Sequence, residues 1–294
     1  MTTETSAAAE PASGGNPLKS ARPPSGAGRA IRWESVRLPA WLTGMIGGAA
    51  IVILWWLVAT LYVSPTGARP IPTPLEVVLS YFDSGGEYYW RNFSVTLSEA
   101  GIGYLWGNGI ALILAAVVLV VPRLEGLVMQ LAIITYCIPI VAVGMLAIVL
   151  IPFPRPGEPS GTAVLLAALS VFFTTVVGAL LGLKSADRSS LDLIAVYGGG
   201  RFTQLIKVRL VAALPAILSA LQIAVPAAFL GAVLGEFFGK IETGVGIAMT
   251  LAQQNSNAPL VWALALASGA VALLGFALVG LIARAIAPWS KGKA

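Results

Sequence analysis

The 294-residue chain has no histidine and a single cysteine, Cys137. An intrachain disulfide, a Cys/His metal site and a Cys-His or Ser-His-Asp nucleophilic centre are therefore excluded, because each needs residues the chain lacks. Charge is scarce as well: 11% of residues are Asp, Glu, Lys or Arg, where a soluble domain carries about 25%. With 57% hydrophobic residues and a mean hydropathy of +0.86, the composition excludes an ordinary soluble globule and indicates a membrane protein. The net charge of +5 is not gathered into a basic face with aromatic readers, so no nucleic-acid partner is expected. No stretch fits the phosphate loop G-x4-G-K-[ST]. The near-miss Gly235-x3-Gly239-Lys240 has the wrong spacing, and Ile241 stands where a hydroxyl would meet magnesium.

What is present falls into two materials. Residues 1–37 are rich in Ala, Pro, Ser, Gly and Thr. Such a segment buries too little apolar surface to offset chain entropy, so a disordered tail is expected, with a tether as the alternative reading. A secretory signal is not expected, since the first apolar stretch begins only near Leu38. From there to about residue 290, uncharged runs recur that are long enough to cross a bilayer, for which about 20 residues are needed. They lie at Leu38–Ala68, Ala100–Pro122 (entered through an amphipathic lead-in at Trp90, Phe93, Val95 and Leu97), Gly126–Pro154, Pro159–Leu183, Leu210–Gly235, and a last span starting near Leu260. The fold class expected is an all-α polytopic membrane protein of about six transmembrane helices in one domain, residues 38–290. The polar run Gln253–Asn257 keeps a five-span or re-entrant arrangement open around residues 236–258.

Lys and Arg in the short connections set the orientation, because positive residues are retained on the cytoplasmic side. With both termini inside, fourteen positive residues fall in inner segments and four (Arg69, Arg91, Arg155, Lys240) in outer ones. Without the tail the ratio is still nine to four. A plasma-membrane protein with cytoplasmic termini and a lipid-facing exterior is expected.

The inner connection Lys184–Arg209 is longer than the about 2–8 residues that joining two helices requires. Ser189 or Ser190 is placed to cap a helix start, Leu191, Ile194 and Ala195 follow at i, i+3, i+4, and Gly198, Gly199 and Gly200 end the pattern. Phe202, Leu205 and Ile206 then repeat the spacing, which predicts two short amphipathic helices joined by a glycine elbow at the membrane surface. An interfacial helix resting on headgroups has the same signature.

The run Asp192-Leu-Ile-Ala-Val-Tyr-Gly198, nine residues, then Val208-Arg-Leu210 resembles the "EAA" motif of ABC-type importer permeases, E-A-A-x-x-x-G-x9-I-x-L-P. Asp192 stands for the usual Glu, Leu193 and Ile194 for the two alanines, and Val211 for the proline. Ile71-Pro-Thr-Pro74-Leu-Glu-Val77 resembles the "LPSPxEV" stretch of the nitrate/sulfonate/taurine branch. Ala212-Ala-Leu-Pro215-Ala-Ile resembles "AALPxI", and Gly235-Glu236-Phe-Phe-Gly239 with Gly244-Val-Gly246 resembles the "AExxG…GLG" turn. The segments come in the family's order over about three quarters of the chain, from Ile71 onward.

The resemblance implies a permease subunit with no catalytic residues, metal or cofactor of its own. ATP and Mg would be bound by a cytoplasmic ABC ATPase dimer, a second permease subunit (a copy of this chain in a homodimer, or a related permease) would complete the path, and an extracytoplasmic binding protein would deliver a small polar or anionic solute. It places ATPase coupling on Leu191, Asp192, Ile194, Ala195, Gly198 and Phe202. Candidates for the translocation path are the intramembrane polar residues Gln130, Tyr136, Thr174, Thr175 and Gln222, together with Thr135 and Ser219, although each of these also suits a plain helix–helix hydrogen bond. Pro139 and Pro226 would kink or open the third and fifth spans. Gly44/Gly48, Gly103/Gly107, Gly178/Gly182 and Gly231/Gly235/Gly239 have the spacing of close helix contacts, within the bundle or with a second subunit. Glu99 and Glu236 are the acidic residues within the spans. Without a proton relay or filter, an ATP-independent carrier or channel is the weaker alternative, and a membrane-embedded enzyme weaker still.

Overall fold

The computed structural model describes residues 39–62, 70–155, 158–239 and 242–289. The expected disordered tail lies outside them. The chain divides into two units, Met1–Gly47 and Gly48–Ala294, with the boundary inside the first helix. Of the first unit, residues 39–47 are described, as the start of that helix.

Among the described residues there is no strand. The helices are α1 (Ala40–Leu61), α2 (Pro74–Val120), α3 (Glu125–Cys137), α4 (Ile140–Leu150), α5 (Gly161–Lys184), α6 (Arg188–Val196), α7 (Arg201–Gln204), α8 (Leu210–Gly239), α9 (Val245–Gln254) and α10 (Ala258–Ile286). Five are long and apolar enough to cross a membrane, or six if the bent pair α3/α4 is one span. The all-α polytopic expectation stands.

Local sequence explains the boundaries. Thr73-Pro74-Leu-Glu76 is a capping box with proline in the first turn: Thr73 N–H donates to Glu76 Oε2 (2.7 Å) and Glu76 N–H to Thr73 Oγ1 (3.3 Å). The expected lead-in at residues 90–97 is therefore part of α2, a 47-residue helix interrupted at Gly85, whose φ of 74° and ψ of 155° are non-helical. Within the expected third span, Pro139 does more than kink the helix. It lacks an N–H, and it pushes Ile138 to an extended ψ of 124°. The chain leaves α3 and restarts as α4 at 89°. At about 1.5 Å per residue neither piece alone reaches across a core of about 30 Å. Pro226 lies inside α8 without ending it. The last apolar tract divides at Ser256, which has φ 55°, into the short α9 and the span α10, close to the expected start at Leu260.

The centre is α5, packed along α8 and α2, with α10 on α8, α9 and α2, α3 on α5, and α4 on α5 and α8. Small residues let the backbones approach. A Cβ at Gly182 would fall 2.9 Å from Ala213 O, one at Gly231 2.6 Å from Leu166 O, and one at Gly103 2.7 Å from Val164 O. Three of the four glycine pairs thus serve packing inside the bundle. One buried cluster joins Phe93, Val171, Phe229, Val245 and Leu264, and a second joins Val118, Val128, Val176, Leu180 and Ala213. The outer faces carry exposed Ile51, Leu54, Leu273, Leu274 and Leu281, a surface suited to lipid rather than water.

Candidate functional site

In the segment between α5 and α8, Asp187 occupies the N-cap position of α6, with φ −67° and ψ 135°, and makes no side-chain bond to the helix N–H groups. Ser189 and Ser190, expected to be caps, lie in the first turn instead. The Ser189 hydroxyl is bound to the Asp187 carboxylate. That bond holds the Asp187 carboxyl below the ordinary range, against a smaller opposing effect of desolvation.

The end of α6 explains the glycines. Gly198 N–H donates to Ala195 O (3.0 Å) and Gly199 N–H to Ile194 O (2.8 Å), the paired bonds of a Schellman cap, with Gly198 in the left-handed region at φ 74°. A Cβ at Gly199 would fall 2.8 Å from Ile194 O. Beyond the elbow the structure departs from the expected second short helix. α7 runs through a π-turn, Leu205–Arg209, directly into α8, because nothing between Arg201 and Pro215 interrupts the helical pattern. Gln204 Nε2 donates to Leu191 O (3.1 Å), tying α6 to this extension. α6 is thus tied to a helix that runs on into a membrane-spanning one. At the other side an ion pair between Lys184 and Glu125 joins the end of α5 to the start of α3.

Of the expected coupling residues, Leu191 and Ile194 are half-buried, whereas Asp192, Ala195, Gly198 and Phe202 are exposed. Sequence reasoning passed over Leu193, Val196 and Tyr197, which are 56%, 83% and 83% exposed and share the outer surface with Phe202 at 73%. The signal for them was present, since Leu193, Val196 and Tyr197 follow the same i, i+3, i+4 spacing as Leu191, Ile194 and Ala195. Spacing alone does not say which stripe faces out. Phe202 also lines a cavity of about 470 Å³ with Leu119, Val120, Pro122 and Arg209.

The intramembrane polar residues do not share one place. Thr175 is fully buried and donates to Asn108 Oδ1 (2.5 Å), a bond between α5 and α2. Gln222 Nε2 donates to Phe276 O on α10 (3.2 Å), and Ser219 to Pro215 O (2.9 Å). Both line a cavity of about 340 Å³ beside Gly280 and Arg284. Gln130 is exposed and Thr174 half-buried. Tyr136 is exposed and stacks on Phe173, with ring centroids 4.4 Å apart. Together with Thr135, Pro139 and Ser170 it lines a cavity of about 390 Å³ at the break between α3 and α4.

At the opposite end of the bundle from α6, the residues of the "AExxG…GLG" resemblance form a buried polar cluster. Three successive N–H groups at the start of α9 are each met by a side chain: Gly244 by Asn92 Oδ1 (3.1 Å), Val245 by Thr96 Oγ1 (2.9 Å) and Gly246 by Glu236 Oε2 (2.5 Å). Thr96 Oγ1 in turn donates to Glu236 Oε1 (2.5 Å). Glu99 Oε1 accepts the N–H of Ser160, the cap of α5, at 2.6 Å. Asn92 and Thr96 were missed because they sit one turn apart on a helix face whose neighbours are aromatic. Only folding shows that α9 needs its donors satisfied there.

Among the described residues the helices define an all-α polytopic membrane protein, with five of them, or six if the bent pair is one span, long and apolar enough to cross a membrane. Residues 107–291 match the family model described as binding-protein-dependent transport system inner membrane component, and the chain belongs to that family, the ABC transporter permeases. It is 30% identical over 241 residues to a probable ABC transporter permease protein of Haemophilus influenzae, covering 82% of this chain and 94% of the relative. It is 27% identical to the putative aliphatic sulfonates transport permease protein SsuC of Bacillus subtilis, covering 85% and 88%. It is 24% identical to the formylaminopyrimidine transport permease protein ThiX of Halalkalibacterium halodurans, covering 82% and 93%.

Proposed function

We propose that the chain is the membrane subunit of an ABC importer, pairing with a second copy of itself to form the path for a small polar or anionic solute handed over by an extracytoplasmic binding protein. ATP and Mg belong to a separate cytoplasmic ATPase dimer, and the subunit carries no cofactor. The observation that carries this reading is the α6 knob. A Schellman-capped helix exposes Leu193, Val196 and Tyr197 beside Phe202 and is tied through Gln204 to a helix continuous with α8. An exposed apolar knob on a rigid lever is what a soluble motor needs in order to move a span. Both termini and α6 lie on the cytoplasmic face in this reading, which the distribution of Lys and Arg supports.

The path is assigned to the cavity at the break of α3 and α4, where Tyr136, Thr135 and Ser170 meet a stretch of non-helical backbone. Irregular backbone at membrane depth is tolerated where it lines a cavity. The named relatives are transport permeases for formylaminopyrimidine and for aliphatic sulfonates, which supports a small solute without choosing among them.

Reconstitution with the cognate ATPase tests the reading. A stable complex in detergent and ATP-dependent uptake when binding protein is present are expected. Solute flux that proceeds without ATPase would overturn it in favour of an autonomous carrier or channel.

A further inference from the structure

Glu99 on α2 and Glu236 on α8 are both 0% exposed. Their carboxyl groups lie within hydrogen-bonding reach of one another. Each Glu236 oxygen accepts a donor, Thr96 Oγ1 on Oε1 and Gly246 N–H on Oε2. Glu99 Oε1 accepts Ser160 N–H, whereas Glu99 Oε2 is buried with no N–H or O–H donor among the described residues. No Lys or Arg among the described residues reaches the pair. Among the described residues near the cluster, the charged groups Glu87, Arg91, Arg155, Glu158 and Glu242 are all exposed, and Asn92, Thr96 and Ser160 pack around the carboxyls from α2 and the start of α5.

Two carboxylates in contact, away from water and without a cation, cannot both stay ionised. A carboxylate holding two donors is stabilised in its charged form, and a carboxyl with a bare buried oxygen beside that carboxylate is the better holder of a proton. We propose that Glu99 and Glu236 share one proton, carried on Glu99 Oε2 and donated to the Glu236 carboxylate, and that this pair positions α9 and the start of α5 against α2 and α8 for transport. The proton supplies the one missing donor of the cluster. It also lets the remaining negative charge of Glu236 face the N-terminus of α9, where the helix dipole favours it.

The roles are positional, so the test needs a signal that packing alone would not move. Infrared spectroscopy of the full chain in lipid at neutral pH is expected to show the C=O stretch of a protonated, deuterium-exchangeable carboxylic acid. Glu99→Gln is expected to abolish that band, because its amide keeps both hydrogen bonds and leaves Glu236 ionised. Uptake in the reconstituted complex should stay near the unsubstituted level in Glu99→Gln and fall about tenfold or more in Glu99→Leu, which leaves Ser160 N–H and Glu236 without their partner. No protonated-carboxyl band in the unsubstituted protein, a band that persists in Glu99→Gln, or equal uptake by the Gln and Leu variants would each overturn the proposal. The uptake arm rests on the transport reading above. The infrared arm does not, so the two can fail separately.

Discussion

Gly244 sits so close to the carboxyl group of Glu236 that a Cβ at Gly244 would lie 2.6 Å from Cδ and 2.7 Å from each carboxyl oxygen, and its φ is 149°. Gly244→Ala is therefore strained in its backbone and collides with a buried acid. A loss of about 1–3 kcal/mol is expected, read as a lower unfolding midpoint in detergent and faster proteolysis at α9. An unchanged midpoint would mean that the cluster yields more easily than its hydrogen bonds indicate.

Gly198→Val should uncouple the transporter while leaving it in the membrane. Valine in the left-handed region costs about 1–2 kcal/mol, whereas nothing lies within 4 Å of a Cβ at this position, so the loss is conformational rather than steric. Gly198→Asn, which tolerates that region better, should retain most of the activity. ATPase stimulation and uptake in proteoliposomes compare the two, and equal loss in both would refute the conformational account.

Val196→Asp and Tyr197→Asp place a charge on the exposed stripe of α6 and should lower retention of the ATPase on the purified permease by about tenfold or more if the stripe is a buried hot spot in the complex. Leu191→Ala, on the half-buried stripe, should instead loosen the loop and affect retention less. Co-purification in detergent ranks the three.

Tyr136→Ala should change the uptake KM with little effect on expression, because the ring is exposed and stacks on Phe173 at the cavity rim. Thr175→Val should leave uptake per folded molecule unchanged but cost about 1–3 kcal/mol, the penalty for stranding buried Asn108 Oδ1. The pair separates path lining from helix–helix bonding by kinetics on one side and thermal stability on the other.

The Asp187 carboxyl, held low by the Ser189 hydroxyl, gives α6 a pH dependence of known sign. A depressed acid contributes stability that is present above its unfolded value and lost as pH falls through the folded one. The bond between Ser189 and Asp187 at the start of α6 should therefore weaken in acid, and Ser189→Ala should move that loss to higher pH. Amide hydrogen exchange across residues 188–196 measures it.

Much of this molecule is legible along the chain. Apolar runs of spanning length place α1, α5, α8 and α10, because a helix in lipid must be apolar over its whole exposed length. Thr73-x-x-Glu76, Pro139 and Gly198–Gly200 mark boundaries through local backbone chemistry, which needs no distant partner. Less was readable where the outcome depends on a neighbour. Pro139 predicts a kinked or opened span, but the size of the turn, 89° into α4, and the close approach of Gly144 to Phe238 and Leu166 were not readable along the chain. Thr175 and Gln222, which the sequence leaves open between path lining and helix–helix bonding, bond to Asn108 and Phe276, partners 67 and 54 residues away.

By itself, the sequence determined a membrane-spanning helical chain with a proline inside its third span and one glycine-ended protrusion between α5 and α8, since hydropathy and turn chemistry act over a few residues. Tertiary structure decided which of two equally spaced apolar stripes on α6 faces outward. It also decided that the second half of the loop belongs to α8, and that Glu99 and Glu236, 137 positions apart, meet in one buried cluster. Those outcomes follow from which surfaces remain uncovered and which buried donors still need an acceptor once the helices have packed.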